Sequence, residues 1–189
     1  KLSGIDKNFK ITDGRPGRIE RDAQTGDPTG IVRSASRFIK YVSSEKKPTL
    51  EDRRNRLRQL LADYNSVGIT SIAERDAEDD EVDLYLELKR RGELTCRVFL
   101  NRHVEAQMPL ESIEERILKA ARDPLHSYDN MLWLRGIKAY LDGGMLTGSA
   151  YMRKPWGVSK VYSITDPQYR GMRFIAPGKL YAIARLALK

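Results

Sequence analysis

Ile69-Thr70-Ser71-Ile72-Ala73, Leu94-Thr95-Cys96-Arg97-Val98-Phe99-Leu100 and Leu132-Trp133-Leu134-Arg135-Gly136-Ile137-Lys138-Ala139-Tyr140-Leu141 are three short runs rich in apolar and β-branched residues. Runs of this kind predict buried strands. Between the first two, Val82, Tyr85, Leu86 and Leu88 recur at helical spacing from about Asp80 to Arg91, and Gly92 supplies a stop. Between the second and third, a helix reads from about Leu110 to Ala121 through Ile113, Ile117 and Leu118, and Asp123-Pro124 breaks it. Strand, helix, strand, helix, strand at this spacing is the grammar of a parallel sheet, either doubly wound or closed into a barrel. No G-x-G-x-x-G or G-x-x-x-x-G-K-[ST] loop follows any of the strands, which weakens dinucleotide and nucleotide readings.

Working outward, Pro48-Thr49-Leu50-Glu51-Asp52 has the form of a helix start, with Thr49 as N-cap and acids in the first turn. Leu50, Leu57, Leu60, Leu61 and Tyr64 carry that helix to Val67, and Gly68 ends it. Further upstream, Arg18-Ile19-Glu20-Arg21-Asp22 and Thr29-Gly30-Ile31-Val32-Arg33 flank the turn formers Ala23 to Pro28, a hairpin signature. Lys1-Leu2-Ser3-Gly4 reads as a helix running into its glycine cap. At the other end, Leu180, Ile183, Ala184, Leu186, Ala187 and Leu188 form an apolar helical face cut at Lys189. Both ends read as severed elements. The expected organisation is an irregular, hairpin-bearing insertion over 1–47 and a partial β/α barrel over 48–189.

At 189 residues the chain can bury a real core, but it is shorter than the roughly 250 residues of a complete (β/α)₈ barrel. No run approaches the roughly 20 apolar residues that cross a bilayer, and the single cysteine, Cys96, excludes an internal disulfide framework. The net charge of +8 is unevenly spread: +5 over residues 1–47, −5 over 48–129 and +8 over 130–189. Neither aromatic–basic platform nor nucleic-acid fingerprint accompanies the basic ends, so no nucleic-acid partner is expected. No membrane partner is expected either. The chain opens without Met, so the missing signal-peptide pattern carries no information about targeting; the expected compartment is the cytoplasm.

The stretch with most chemistry is Gly136-Ile137-Lys138-Ala139-Tyr140-Leu141-Asp142-Gly143-Gly144-Met145-Leu146-Thr147-Gly148-Ser149-Ala150. If the strand runs to Leu141, alternation points Lys138, Tyr140 and Asp142 the same way. Should that way be inward, a lysine and an aspartate face the mouth where barrel active sites sit. The plainer reading leaves Lys138 on an edge strand with its ammonium in water and Asp142-Gly143 as ordinary turn chemistry.

Three blocks, in order, resemble amidohydrolase family 3, in its YtcJ-like branch: Arg18 to Arg33, then Asn65-Ser66-Val67-Gly68-Ile69-Thr70-Ser71-Ile72, then Arg135 to Ala150. The resemblance implies a (β/α)₈ barrel, of which this chain would hold about strands two to four. It also implies a metal-dependent hydrolase cleaving a C–N bond, amide-type and non-peptide, of a small molecule. The family's metal site draws on a His-x-His pair of the first strand, a ligand on strand four, and histidines and an aspartate from later strands. The strand-four ligand corresponds to Lys138, carboxylated by CO₂ in the full-length enzyme, and Asp142, Gly143, Gly144, Thr147, Gly148 and Ser149 form the loop shaping the site. A divalent metal, zinc by expectation, would lower the pKa of bound water and polarise the carbonyl.

The chain departs from this pattern by omission. It has no His-x-His, and its two histidines are His103 and His126. His103, just past the strand ending at Leu100, either faces the barrel mouth or, the reading preferred, is a loop histidine without metal; His126 reads as a surface one. The expectation is an internal piece of the enzyme that binds no metal and is inactive in isolation. Glu74-Arg75-Asp76 reads as a solvated acidic loop, and Cys96 as a small buried hydrophobe. Ser149 lacks the strand–turn–helix setting of a nucleophile elbow. Tyr151, Arg153 and Trp156 either line a pocket or pack the loop. The rival from another class is a non-catalytic α/β binding module with a basic face; histidines in the flanking sequence would separate the two.

Overall fold

The computed structural model describes residues 3–15, 17–41 and 47–188, so Lys1, Leu2 and Lys189, on which the expected severed ends rest in part, lie outside the described residues. The chain forms two compact units, Lys1–Glu45 with Tyr140–Pro177, and Lys46–Ala139 with Gly178–Lys189.

The second unit opens with helix α1 (Leu50–Ser66). Thr49 Oγ1 accepts the Asp52 N–H at 3.1 Å, and Asp52 Oδ2 accepts the Thr49 N–H at 2.8 Å. This reciprocal cap satisfies two of the four N–H groups a helix start leaves unpaired. Gly68, at φ +83°, turns the chain out of the helix. There follow β3 (Ser71–Ala77), α2 (Asp79–Arg90), β4 (Arg97–His103), α3 (Leu110–Ala121), β5 (Leu132–Lys138) and, after the chain returns from the first unit, α4 (Pro177–Ala187). The first unit contributes β1 (Arg18–Arg21) and β2 (Pro28–Arg33).

The helices lie close to their expected positions, but the strands are displaced. β3 starts two residues later than the β-branched run and continues through Glu74-Arg75-Asp76, so those residues are strand, not loop. β4 extends to His103, and β5 stops at Lys138 rather than Leu141. The apolar runs mark where one face is buried; ladder pairing continues beyond them into polar residues.

β3, β4 and β5 form an unclosed parallel sheet in that order, an α/β arrangement that is part of a TIM-type (β/α)₈ fold. Val98, Leu100, Leu132 and Leu134 are fully buried on one face against Leu61, Val82, Tyr85, Leu88 and Ala120 from the helices, with Ile72 and Ile137 packed at the margin. Each such leucine contributes about 2 kcal/mol by leaving water.

Both outer strands are bulged. Between the pairs Glu74↔Leu100 and Ala77↔Arg102, β3 advances three residues while β4 advances two. Between Leu100↔Leu134 and Asn101↔Gly136, β5 advances two while β4 advances one. Strict alternation from Leu132 and Leu134 would turn Lys138 toward the helices. The extra residue shifts the phase, so that Ile137 joins the core and Lys138 belongs to the opposite face.

In the first unit, β1 and β2 pair antiparallel, with Arg18 opposite Arg33 and Ile19 opposite Val32. Asp22 Oδ1 shapes the turn between them by accepting the N–H groups of Gln24 at 2.9 Å and Thr25 at 2.8 Å. Residues 140–177 add almost no regular structure, only the isolated bridges Asp142↔Arg173 and Ser159↔Ile164. No described helix is long and apolar enough to cross a membrane.

Candidate functional site

The carboxyl ends of parallel strands are where barrel folds place their chemistry, and here three polar residues line that edge. Asp76 stands near the end of β3, His103 ends β4 and Lys138 ends β5. Asp76 Oδ1 lies 2.8 Å from His103 Nδ1, a contact that fixes the imidazole's orientation. The Cα of His103 pairs in register with that of Lys138, and the Val104 N–H donates to the Lys138 carbonyl at 2.8 Å. His103 is therefore a strand residue rather than a loop histidine, mostly buried at 17% exposure. Its Nε2 faces Glu78 Oε1 at 3.8 Å, and Glu78 in turn meets Arg116. Sequence reasoning missed Asp76 and His103 as partners. The usable signal was their position at equivalent ends of successive strands.

On the helix side of the same edge, Arg102 bridges Asp79 and Asp123, and Lys119 meets Asp79 at 2.9 Å. The Lys119 hydrogen bond, helped by the charges of Lys119, Arg102 and Arg116, outweighs burial and holds the Asp79 carboxyl below its ordinary range. Asp79, Arg102 and Lys119 line a cavity of about 290 Å³ with His103, Met108 and Arg116. Arg102, Arg116 and Lys119 each meet an acid there, so it reads as a structural ion network. On the opposite face, Ala73, Arg75, Phe99, Asn101 and Arg135 line a second hollow of about 400 Å³.

The loop Asp142 to Ser149 belongs to the first unit. Because β5 ends at Lys138, the alternation that was to carry Tyr140 and Asp142 onto the lysine's face does not extend to them. Asp142 Oδ2 accepts the Tyr151 N–H at 2.7 Å, and the Gly143 N–H donates to Met172 O at 3.0 Å. Ser149 is buried; its Oγ accepts the Gly144 N–H at 3.1 Å and lies 2.7 Å from Thr147 Oγ1. A Cβ on Gly143 would fall 2.3 Å from the Ser149 carbonyl oxygen. One on Gly148, at φ +64°, would fall 2.5 Å from the Tyr162 ring. The small residues here answer to a chain folded tightly on itself. Trp156 packs it, donating Nε1–H to Ala150 O at 2.9 Å and meeting Tyr162 edge-on, while Tyr151 lies under Arg170 and Arg173. The Arg153 carbonyl accepts from Arg170.

Cys96 is buried just ahead of β4, within 3.2 Å of Asn65 Nδ2. His126 sits in a short 3₁₀ turn whose carbonyl receives the Trp133 Nε1–H at 3.1 Å. Among the described residues, no group of three or more His, Cys, Asp or Glu side chains surrounds a point where a metal ion could sit. The described donors alone do not fit the divalent metal that the sequence resemblance implies.

The model of the amidohydrolase family matches residues 4–174. The fold is similar to that of an uncharacterized metal-dependent hydrolase from Pyrococcus horikoshii OT3, with a TM-score of 0.57 and 19% identity over 74% of this chain and 26% of that one. A second uncharacterized metal-dependent hydrolase, from Pyrococcus furiosus, gives 0.56 and 19% over 96% of this chain and 34% of its own. The chain thus spans between 26% and 34% of the length of these solved relatives. At such identity the likeness concerns the fold. No curated protein matches the chain significantly.

Proposed function

Because this chain belongs to the amidohydrolase family, we propose that it is one portion of a divalent-metal hydrolase acting on an amide-type, non-peptide C–N bond of a small molecule. Zinc is the proposed metal. Residues 48–189 are the barrel's share in this reading and 1–47 an insertion ahead of it, with Tyr140–Pro177 a barrel connection that packs with the insertion in one unit. Neither nucleic acid nor membrane is a partner, and the cytoplasm is the compartment.

The observation that carries the reading is Lys138 at the carboxyl end of β5, paired with His103 and out of phase with the buried leucines of its own strand. Lys138 is the metal ligand this chain supplies to the whole enzyme, as its carbamate. An ammonium has no lone pair to offer, and carboxylation converts it into an anionic oxygen donor. Asp142, Gly143, Gly144, Thr147, Gly148 and Ser149 are the loop that shapes the substrate space after that strand. Asp76 keeps the His103 ring from swinging away at the same edge.

In the whole hydrolase, Lys138→Ala should lose bound metal and hydrolysis together. Lys138→Arg should restore neither, since a guanidinium stays cationic and is not carboxylated. Full metal content with near-normal turnover in Lys138→Ala overturns the assignment. The 189-residue chain by itself should be inactive, because the remaining ligands come from elsewhere in the enzyme. Chelator-sensitive amide hydrolysis by the purified chain would contradict this.

A further inference from the structure

Glu20 lies at the centre of the first unit's polar contacts. Its Oε1 accepts from Arg18 Nε at 2.9 Å and from Arg33 Nε at 2.7 Å. The Glu20 and Arg33 side chains are each only 17% exposed. Both guanidiniums then reach into the segment 140–177. Arg33 Nη1 donates to the Thr147 carbonyl at 3.3 Å. Arg18 Nη2 donates to the Ser163 carbonyl at 3.2 Å, and the same guanidinium lies over the Tyr169 ring at 5.2 Å. Ser163 holds a left-handed φ of 51°. Its neighbour Tyr162 presses against Gly148, where no side chain fits.

One carboxylate therefore braces the loop from two sides, through Arg33 to Thr147 and through Arg18 to the residue beside Tyr162. We propose that Glu20, acting through Arg18 and Arg33, is a positioning residue that sets the conformation of the Gly143–Ser149 loop for substrate binding. This rests on the reading of that loop as part of the hydrolase site. The contacts are charge-assisted and partly buried, so neutralising the carboxylate leaves two guanidiniums facing each other with no negative charge between them. A hairpin that merely stabilised itself would have no need of side chains bonded to loop carbonyls more than a hundred residues away.

Two variants test the brace. Glu20→Gln keeps the size and removes the charge. Arg33→Lys keeps the charge but loses the fork that spans Glu20 and Thr147. Hydrogen–deuterium exchange would be followed at the amides of Gly148, Ser149 and Ala150, which bond back to Met145 and Gly144 carbonyls, with α2 as internal control. Both variants should exchange roughly tenfold faster at the loop and unchanged in α2, as expected when about one charge-assisted hydrogen bond no longer holds a local opening closed. Unchanged loop exchange, or equal acceleration in α2, overturns the proposal. If Glu20→Gln fails to fold, Arg33→Lys decides alone. In the whole hydrolase the same variants should raise KM several-fold while kcat and bound metal hold. Faster loop exchange with an unaltered KM would keep the positioning role and overturn instead the assignment of the loop to the site.

Discussion

Asp129, at the approach to β5, shows how much a single carboxylate can organise. Its Oδ1 accepts the N–H groups of Met131 at 2.8 Å and Leu132 at 3.0 Å, and its Oδ2 meets Lys89 at 2.8 Å. The Lys89 hydrogen bond, with the two backbone donors, brings the carboxyl from its ordinary 3.8 down to about 2. A depressed carboxylate stabilises the fold fully above its ordinary pKa, and the contribution is lost as pH falls through 3.8 toward about 2. The urea midpoint of the chain should therefore drop more between about pH 4 and about pH 2 than that of Asp129→Asn. The drop should be modest, because the pair is about one-third exposed and screened by solvent. Parallel profiles would remove Asp129 from the acid response. At this scale legibility was uneven. Lys138 is singled out by the resemblance of its stretch to the family, and its strand is legible although it ends at Lys138 rather than Leu141. Asp76 and His103 read as loop in spite of their place at the ends of successive strands, since Glu74-Arg75-Asp76 and Asn101-Arg102-His103 are polar runs, and polarity in a sequence reads as loop. In a sheet destined to become a barrel wall, the same polarity belongs inside the strands.

Helices were easier to read than strands for a physical reason. Thr49, Gly68 and Gly92 punctuate α1 and α2 with side-chain and backbone requirements local to the sequence. Strand limits depend on a partner: β4 pairs with both neighbours and sets where β3 and β5 begin and end. The bulges are still less local, because nothing in Leu134-Arg135-Gly136 announces that two residues will oppose Asn101. They give a sharp test. Deleting one residue from the middle of a strand normally sends every later side chain to the wrong face. Deleting Arg135 should instead remove the extra residue and leave Gly136, Ile137 and Lys138 opposite Asn101, Arg102 and His103 as before. Arg135 is exposed and stacks on Trp133, so the loss should be roughly 1 kcal/mol. Deleting Phe99 from the unbulged start of β4 should turn Leu100 out of the core and unfold the unit. Circular dichroism melts of the two deletions would compare them directly, and equal damage would disprove the phase argument.

For the molecule as a whole, β3 and β5 each present an outer edge to which no described strand bonds. Unpaired edges of this kind template further pairing. Purified alone, the 189-residue chain should self-associate as its concentration rises, and sedimentation that finds a compact monomer throughout would count against this. The regrouping of Tyr140–Pro177 with the amino-terminal segment was not legible, because that segment has no period to read. It is tied to the amino-terminal segment by side-chain bonds such as Arg33 Nη1–H to the Thr147 carbonyl at 3.3 Å and Arg18 Nη2–H to the Ser163 carbonyl at 3.2 Å. The same regrouping sets an order of events during synthesis. Arg18 and Ser163 are 145 residues apart. A ribosome adding about 5–20 residues per second takes roughly 7–30 s to pass from one to the other. By the time Thr147 and Ser163 emerge, all three strands of the parallel sheet and the helices between them have left the tunnel or are leaving it. The hairpin, made first, is then among the last parts to reach its final contacts, and for those seconds Arg18 and Arg33 have only Glu20 and water to bind.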